Sequence, residues 1–219
     1  MNIASYIDHT VLKPNTTDAD IEQLCSEAIE YGFKAVCVPP YYVTKAKSLL
    51  AQSEIHVATV IGFPMGYATL QSKLSEITTA IDAGADELDM VHNISAVKND
   101  DWSYLENEVR LCTELAHQSA KTIKIIIETG LLNEAEIIHC CELYSKLNVD
   151  YIKTSTGFNG EGATIETLKL IRANLPQFVN IKASGGIRNF DFAKQLIEAG
   201  ANRLGCSASV NIVKGAKEH

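Results

Sequence analysis

Eight short segments of strand character recur along the chain, spaced roughly 20 to 35 residues apart, the length of a strand–helix unit. That recurrence limits the possible folds more than any other feature. The segments are Tyr6 to His9, Ala35 to Val38, His56 to Gly62, Glu87 to Val91, Ile123 to Glu128, Asp150 to Thr154, Val179 to Ala183 and Arg203 to Cys206. They are rich in valine and isoleucine or flanked by glycine. Helix signals fill the intervals. Thr17 with Asp20 and Asn133 with Glu136 have the spacing of capping boxes, and Gly32 stands where the first helix should stop. Asn189 precedes a run in which Phe190, Ala193, Leu196 and Ile197 form one apolar face, and Gly200 ends it. Eight strands alternating with helices predict an α/β fold, a closed (β/α)8 TIM barrel, as a single domain over residues 1–219. An open doubly wound sheet is the alternative, but no G-x-G-x-x-G follows the first strand.

Charge and composition narrow the function. Nineteen lysines and arginines against 27 acids give a net charge of −8. That balance argues against nucleic acid or an anionic membrane as partner. No apolar run is long enough to span a bilayer, and the N-terminus lacks a basic region followed by an apolar stretch, so the cytoplasm is the expected location. The six cysteines (Cys25, Cys37, Cys112, Cys140, Cys141 and Cys206) are scattered without a C-x-x-C pair. They are expected to be small buried hydrophobes rather than disulfide partners or metal ligands. The histidines show neither H-x-H nor H-E-x-x-H spacing, so no metal is expected.

In such barrels the active site lies at the C-terminal ends of the strands. Side chains alternate along a strand, so Glu87, Asp89 and Val91 share one face of "ELDMV" while Leu88 and Met90 share the other. In the same way Tyr151 points with Lys153, and Asn180 with Lys182 and Ser184. With the apolar partners turned to the surrounding helices, Asp89, Lys153 and Lys182 face the barrel axis. Lys124 and Glu128 stand at the two ends of the fifth strand. One lysine at a strand end is usually solvated, and one aspartate is often half of a structural ion pair. Two lysines on neighbouring strands, about 4.8 Å apart, are a different matter. Ammonium groups held roughly 6 Å apart at an effective dielectric near 20 repel by about 3 kcal/mol, or about 2 pKa units. Burial and a second cation together lower a lysine pKa and produce the amine that attacks a carbonyl. One lysine then serves as nucleophile, the other as its electrostatic partner, and the aspartate shuttles protons. Glycine-rich turns follow strands six, seven and eight (Ser155 to Thr164, Ala183 to Phe190, Gly205 to Ser209), where barrels often bind phosphate.

"DYIKTSTGF", from Asp150 to Phe158, closely resembles the Schiff-base lysine segment of deoxyribose-phosphate aldolases. "IDHTVLKP", "AVCVPP", "VIGFPMG", "GADELDMVHN", "KIIIETGLL", "VNIKASGGIR" and "NRLGCSAS" are similar to that family's segments, in the same order along nearly the whole chain. The resemblance implies a class I aldolase (a lyase) of deoxyribose phosphate and nucleoside catabolism. Its reaction is the reversible cleavage of 2-deoxy-D-ribose 5-phosphate to D-glyceraldehyde 3-phosphate and acetaldehyde. It also implies Lys153 as Schiff-base nucleophile, Lys182 as its pKa-lowering partner and Asp89 as proton-transfer group. Gly157, Gly185, Gly186 and Ser207 are the implied phosphate positions. No metal or cofactor is implied; the partner is a small phosphorylated sugar or aldehyde, and a homodimer or homotetramer fits the family. Cys37 falls where the family often has a cysteine, and is read as packing. Two departures stand out. Cys206 occupies a position that commonly holds threonine, and the tail "VKGAKEH" has no terminal tyrosine. The rival readings are a Schiff-base aldolase for another phosphosugar, a phosphate-binding barrel isomerase, and a non-catalytic sugar-phosphate-binding barrel.

Overall fold

The computed structural model describes residues 2–216. Met1 and the last three residues of the tail, Lys217, Glu218 and His219, lie outside the described residues. Eight strands form a closed, all-parallel barrel in sequence order, with β8 hydrogen-bonded back to β1. They are β1 (Ile7–Thr10), β2 (Ala35–Val38), β3 (His56–Ile61), β4 (Glu87–Val91), β5 (Thr122–Ile126), β6 (Tyr151–Lys153), β7 (Asn180–Ser184) and β8 (Arg203–Cys206). The helices between and after them are α1 (Asp18–Tyr31), α2 (Val43–Leu49), α3 (Leu70–Asp82), α4 (Ile94–Lys98), α5 (Trp102–Gln118), α6 (Glu134–Lys146), α7 (Ile165–Asn174), α8 (Phe190–Glu198) and α9 (Ser209–Gly215). The open-sheet alternative is thereby excluded.

Local chemistry explains where elements begin and end. Thr17 and Asn133 make the reciprocal capping boxes at α1 and α6, and the Asn189 side chain accepts from the Phe192 N–H at the start of α8. Gly32 closes α1 in the left-handed region at φ 68°. The largest departure from the sequence-based boundaries is at β5, which stops at Ile126 rather than Glu128. Glu128 itself sits at φ 54°, ψ 61°, a left-handed conformation that ends any strand. β1 and β7 each run one residue later than their sequence patterns indicate, and β6 keeps only its three central residues.

The main core lies between barrel and helices. Leu88, Met90, Ile123, Ile125, Ile152 and Ile181 are fully buried there. Inside the barrel the alternation delivers mostly polar groups, with a small apolar cluster of Cys37, Ala58 and Val60. The register sets Lys153 directly opposite Lys182, and Asp89 opposite Lys124. Strands β1 and β4 to β8 each turn at least one charged side chain into this shared interior. All six cysteines are buried and unpaired. No helix among the described residues is long and apolar enough to cross a membrane.

Candidate active site

Asp89 is the hub of the barrel interior. One of its oxygens accepts a 2.7 Å hydrogen bond from Lys153 Nζ and another from Lys182 Nζ; the other accepts one of 2.7 Å from Lys124 Nζ. The sequence-derived trio of Asp89, Lys153 and Lys182 is thus in mutual contact, and the two lysine nitrogens lie no farther apart than twice 2.7 Å.

Four further charged groups lie beneath the trio, none of which had been singled out as a site residue. Lys182 also donates to Asp8, whose other oxygen takes a 2.5 Å bond from Arg203. Arg203 reaches Glu87 at 2.5 Å, and Lys124 lies 2.6 Å from the other Glu87 oxygen, an ion pair without hydrogen-bond alignment. Glu87 continues to His56 Nδ1 at 2.7 Å, where the side chain is 42% exposed and the chain of charges meets solvent.

The interior holds three carboxylates (Asp8, Glu87, Asp89) and four basic groups (Lys124, Lys153, Lys182, Arg203), all at least 96% buried. If every base were protonated, one positive charge would be uncompensated. The pairing singles out which base gives way. Lys182 and Arg203 each contact two carboxylates and Lys124 three, whereas Lys153 contacts Asp89 alone. Burial pushes the Lys153 pKa down, and Lys182 adds to that against the opposing pull of Asp89. Lys182 is held above its ordinary value despite burial, because Asp8 and Asp89 outweigh the loss of water. Burial alone would raise the Asp89 carboxyl, but the lysines around it, led by Lys124, hold it well below the usual carboxylate range. The interior is therefore electrically balanced when Lys153 is an amine.

Lys153 is also the one of these seven groups that lines the cleft at the C-terminal end of the barrel, a cavity of about 680 Å³. Gly157, Gly185, Gly186 and Ser207 line the same cleft, so the residues expected to face a phosphate converge beside the lysine. Glycine is required at one approach in particular. Gly185 has φ 87°, and a Cβ on its neighbour Gly162 would come within 2.3 Å of the Gly185 carbonyl oxygen. His9, Lys13 and Arg188 add polar and basic groups to the lining. His9 is buried between Glu27, 2.7 Å from Nε2, and Ser209 Oγ, 2.9 Å from Nδ1. The Ser209 hydroxyl donates to the Cys206 carbonyl, so of the serines in the last loop it is Ser207 that stands exposed at the cleft. Cys37 packs against Ala58 and Val60, and burial pushes its thiol up to about 11. The interior carboxylates are all occupied by ammonium or guanidinium groups. Among the described residues no cluster of histidine, cysteine and acidic side chains is arranged to hold a metal ion.

Alternation already places Glu87 on the Asp89 face, but that Lys124 lies opposite Asp89 follows only from the register of β4 and β5. Asp8 and Arg203 begin to matter only when β8 closes against β1. Glu128, which the sequence pattern places at the end of the fifth strand, lies beyond it: fully buried, it accepts hydrogen bonds from Thr156, on the loop after β6.

The same architecture and segments occur in known proteins. The deoxyribose-phosphate aldolase of Thermococcus gammatolerans is 48% identical over 219 residues, covering 99% of this chain and 97% of that one. A Coccidioides immitis structure, provisionally assigned as a deoxyribose-phosphate aldolase, superposes with a TM-score of 0.95 at 41% identity, covering 99% of this chain and 86% of that one. The deoxyribose phosphate aldolase of Aeropyrum pernix, a tetramer, gives a TM-score of 0.91 at 33% identity, with 98% and 91% covered. The sequence profile of DeoC/LacD family aldolases matches residues 2–214. With a (β/α)8 barrel, a buried lysine cluster at its mouth and this match across nearly its whole length, the chain belongs to the DeoC/LacD family of aldolases.

Proposed function

We propose that this chain is a class I aldolase that reversibly cleaves 2-deoxy-D-ribose 5-phosphate to D-glyceraldehyde 3-phosphate and acetaldehyde through a Schiff base on Lys153. The observation that carries this reading is Lys153 itself. It is 3% exposed, opens on the cleft, and is the least paired base in an interior that balances only when it is neutral. That state supplies the amine a carbonyl reaction needs at neutral pH.

The open-chain sugar phosphate enters aldehyde first, with its phosphate against Gly157, Gly185, Gly186 and Ser207. Lys153 attacks C1, and loss of water gives an iminium whose positive charge draws electrons from the C2–C3 bond. That bond breaks as the C3 hydroxyl gives up its proton. Asp89, held at so low a pKa, is a weak base alone, so we assign proton transfer to Asp89 and Lys182 together, through a water. Glyceraldehyde 3-phosphate leaves, the enamine is protonated at carbon, and hydrolysis releases acetaldehyde. The remote phosphate aligns the reacting end. No metal or organic cofactor enters this scheme.

Acetaldehyde with borohydride should leave a two-carbon adduct on Lys153, read by mass spectrometry. An adduct on another lysine, or none, overturns the reading. Parallel assays with deoxyribose 5-phosphate, ribose 5-phosphate and fructose phosphates test the substrate. The six unpaired cysteines support a reducing compartment, the cytoplasm. The tetrameric Aeropyrum relative supports a homodimer or homotetramer, which light scattering would test.

A further inference from the structure

Glu128 takes no part in the chemistry above, yet it is fully buried beside the cleft in a left-handed backbone conformation that glutamate rarely adopts. Its carboxylate reaches out of its own segment to the loop after β6. One oxygen accepts from the Thr156 N–H at 3.0 Å; the other accepts from the Thr156 hydroxyl and, at 3.4 Å, from Asn159 Nδ2. The Thr156 hydroxyl oxygen in turn accepts the Phe158 N–H at 3.0 Å, and Asn159 Nδ2 also donates to the Pro64 carbonyl at 3.0 Å. Between these anchored residues lies Gly157, at φ 82°. Thr156, Gly157 and Phe158 line the cleft, whereas Glu128 stands behind them. The same loop is tied to β7 by the Ser184 hydroxyl, which donates to the Ser155 carbonyl at 2.6 Å.

Electrostatics cannot be why a carboxylate is here. An anion buried behind a turn that receives a phosphate repels the ligand, and among the described residues no cation lies within 4.0 Å of Glu128. The geometric role remains: drawing the Thr156 N–H and hydroxyl inward fixes the turn before any ligand arrives. A loop already ordered loses less entropy when it binds. We propose that Glu128 is a positioning residue that preorganises the Thr156–Asn159 turn for the phosphate group of the substrate. This rests on the function proposed above.

The test compares 2-deoxyribose 5-phosphate with unphosphorylated 2-deoxyribose. In Glu128→Ala the ratio of their kcat/KM values should fall on the order of tenfold, roughly the worth of one hydrogen bond to a charged group. The loss should reside in KM for the phosphorylated sugar, and inorganic phosphate should compete correspondingly less well. Glu128→Gln, which keeps one acceptor oxygen, should lie between Ala and wild type. Thr156→Val removes the hydroxyl from the other side of the same contact and should show the same selective loss, which keeps the test decisive if Glu128→Ala does not fold. A ratio within twofold of wild type in the folded variants, with both substrates slowed alike, overturns the proposal. Failure of the function itself looks different, because wild type would then cleave neither sugar.

Discussion

Replacing Lys182 by methionine removes one charge while keeping an unbranched chain of similar length. Lys182 and Lys153 share one oxygen of Asp89, which keeps their nitrogens within twice 2.7 Å. At that separation and an effective dielectric near 20, two ammonium groups repel by about 3 kcal/mol, equivalent to about two pKa units. The sign follows from the charge state. A neighbouring cation disfavours the ammonium form of Lys153, so its removal raises the Lys153 pKa, and Asp89, left with one competitor fewer, acts in the same direction. Turnover is a poor readout, because Lys182 also belongs to the proposed proton path. The rate of borohydride-trapped acetaldehyde adduct on Lys153, followed against pH, reports the amine fraction directly. In wild type its acid limb should lie below the pKa of about 10.4 of a free lysine. In Lys182→Met it should move to higher pH by about two units, and the rates of the two proteins should converge where Lys153 is fully deprotonated in both. Lys182→Arg, which keeps the charge, should leave the limb near its wild-type position. An acid limb within half a unit of wild type in the methionine variant would refute the electrostatic argument.

Two predictions concern stability. Lys73 and Glu108 form a fully buried ion pair of 2.8 Å between α3 and α5, and Glu108 also accepts the Asn93 N–H at 2.9 Å, next to the end of β4. Glu108→Ala should cost about 3–5 kcal/mol by leaving a buried ammonium uncompensated, and Lys73→Met with Glu108→Leu should recover much of it; denaturant midpoints of the three proteins decide. Asp89 and Glu87 are both held well below their ordinary values: burial opposes this, but the interior cations, led by Lys124, outweigh it. Their folded pKa values lie beneath the unfolded ones, so their stabilisation is complete above the unfolded values of about 4 and is lost as pH falls below them. Circular dichroism should therefore show acid unfolding below about pH 4, and a midpoint above about pH 5 would mean other groups dominate.

The sequence was most legible where one strand carries its own signal. Asp89, Lys153 and Lys182 could be aimed at the axis from period-two alternation, and the barrel itself from the recurrence of strands and capping residues. Groups whose meaning depends on several strands were harder. Asp8 and Arg203 read as ordinary strand-end charges until β8 lies against β1, and only the closed barrel brings Asp8, Glu87 and Lys124 together. Glu128 shows the opposite error. It read as the last residue of an isoleucine-rich strand, because nothing local announces a left-handed glutamate whose partner, Thr156, lies 28 residues away. The short helices α2 and α4, of seven and five residues, span too few turns for an apolar period to register.

Asp8 and Lys182 are 174 positions apart, and their contact exists only once the two ends of the barrel have met. Before that moment Lys153 is a solvated lysine with a pKa of about 10.4, only a small fraction of it amine at neutral pH. A partly folded chain therefore holds no more amine at Lys153 than at any other exposed lysine. The burial and the Lys182 charge that favour the Lys153 amine both depend on closure of the sheet, so opening of the β1–β8 seam is expected to return Lys153 towards the ammonium.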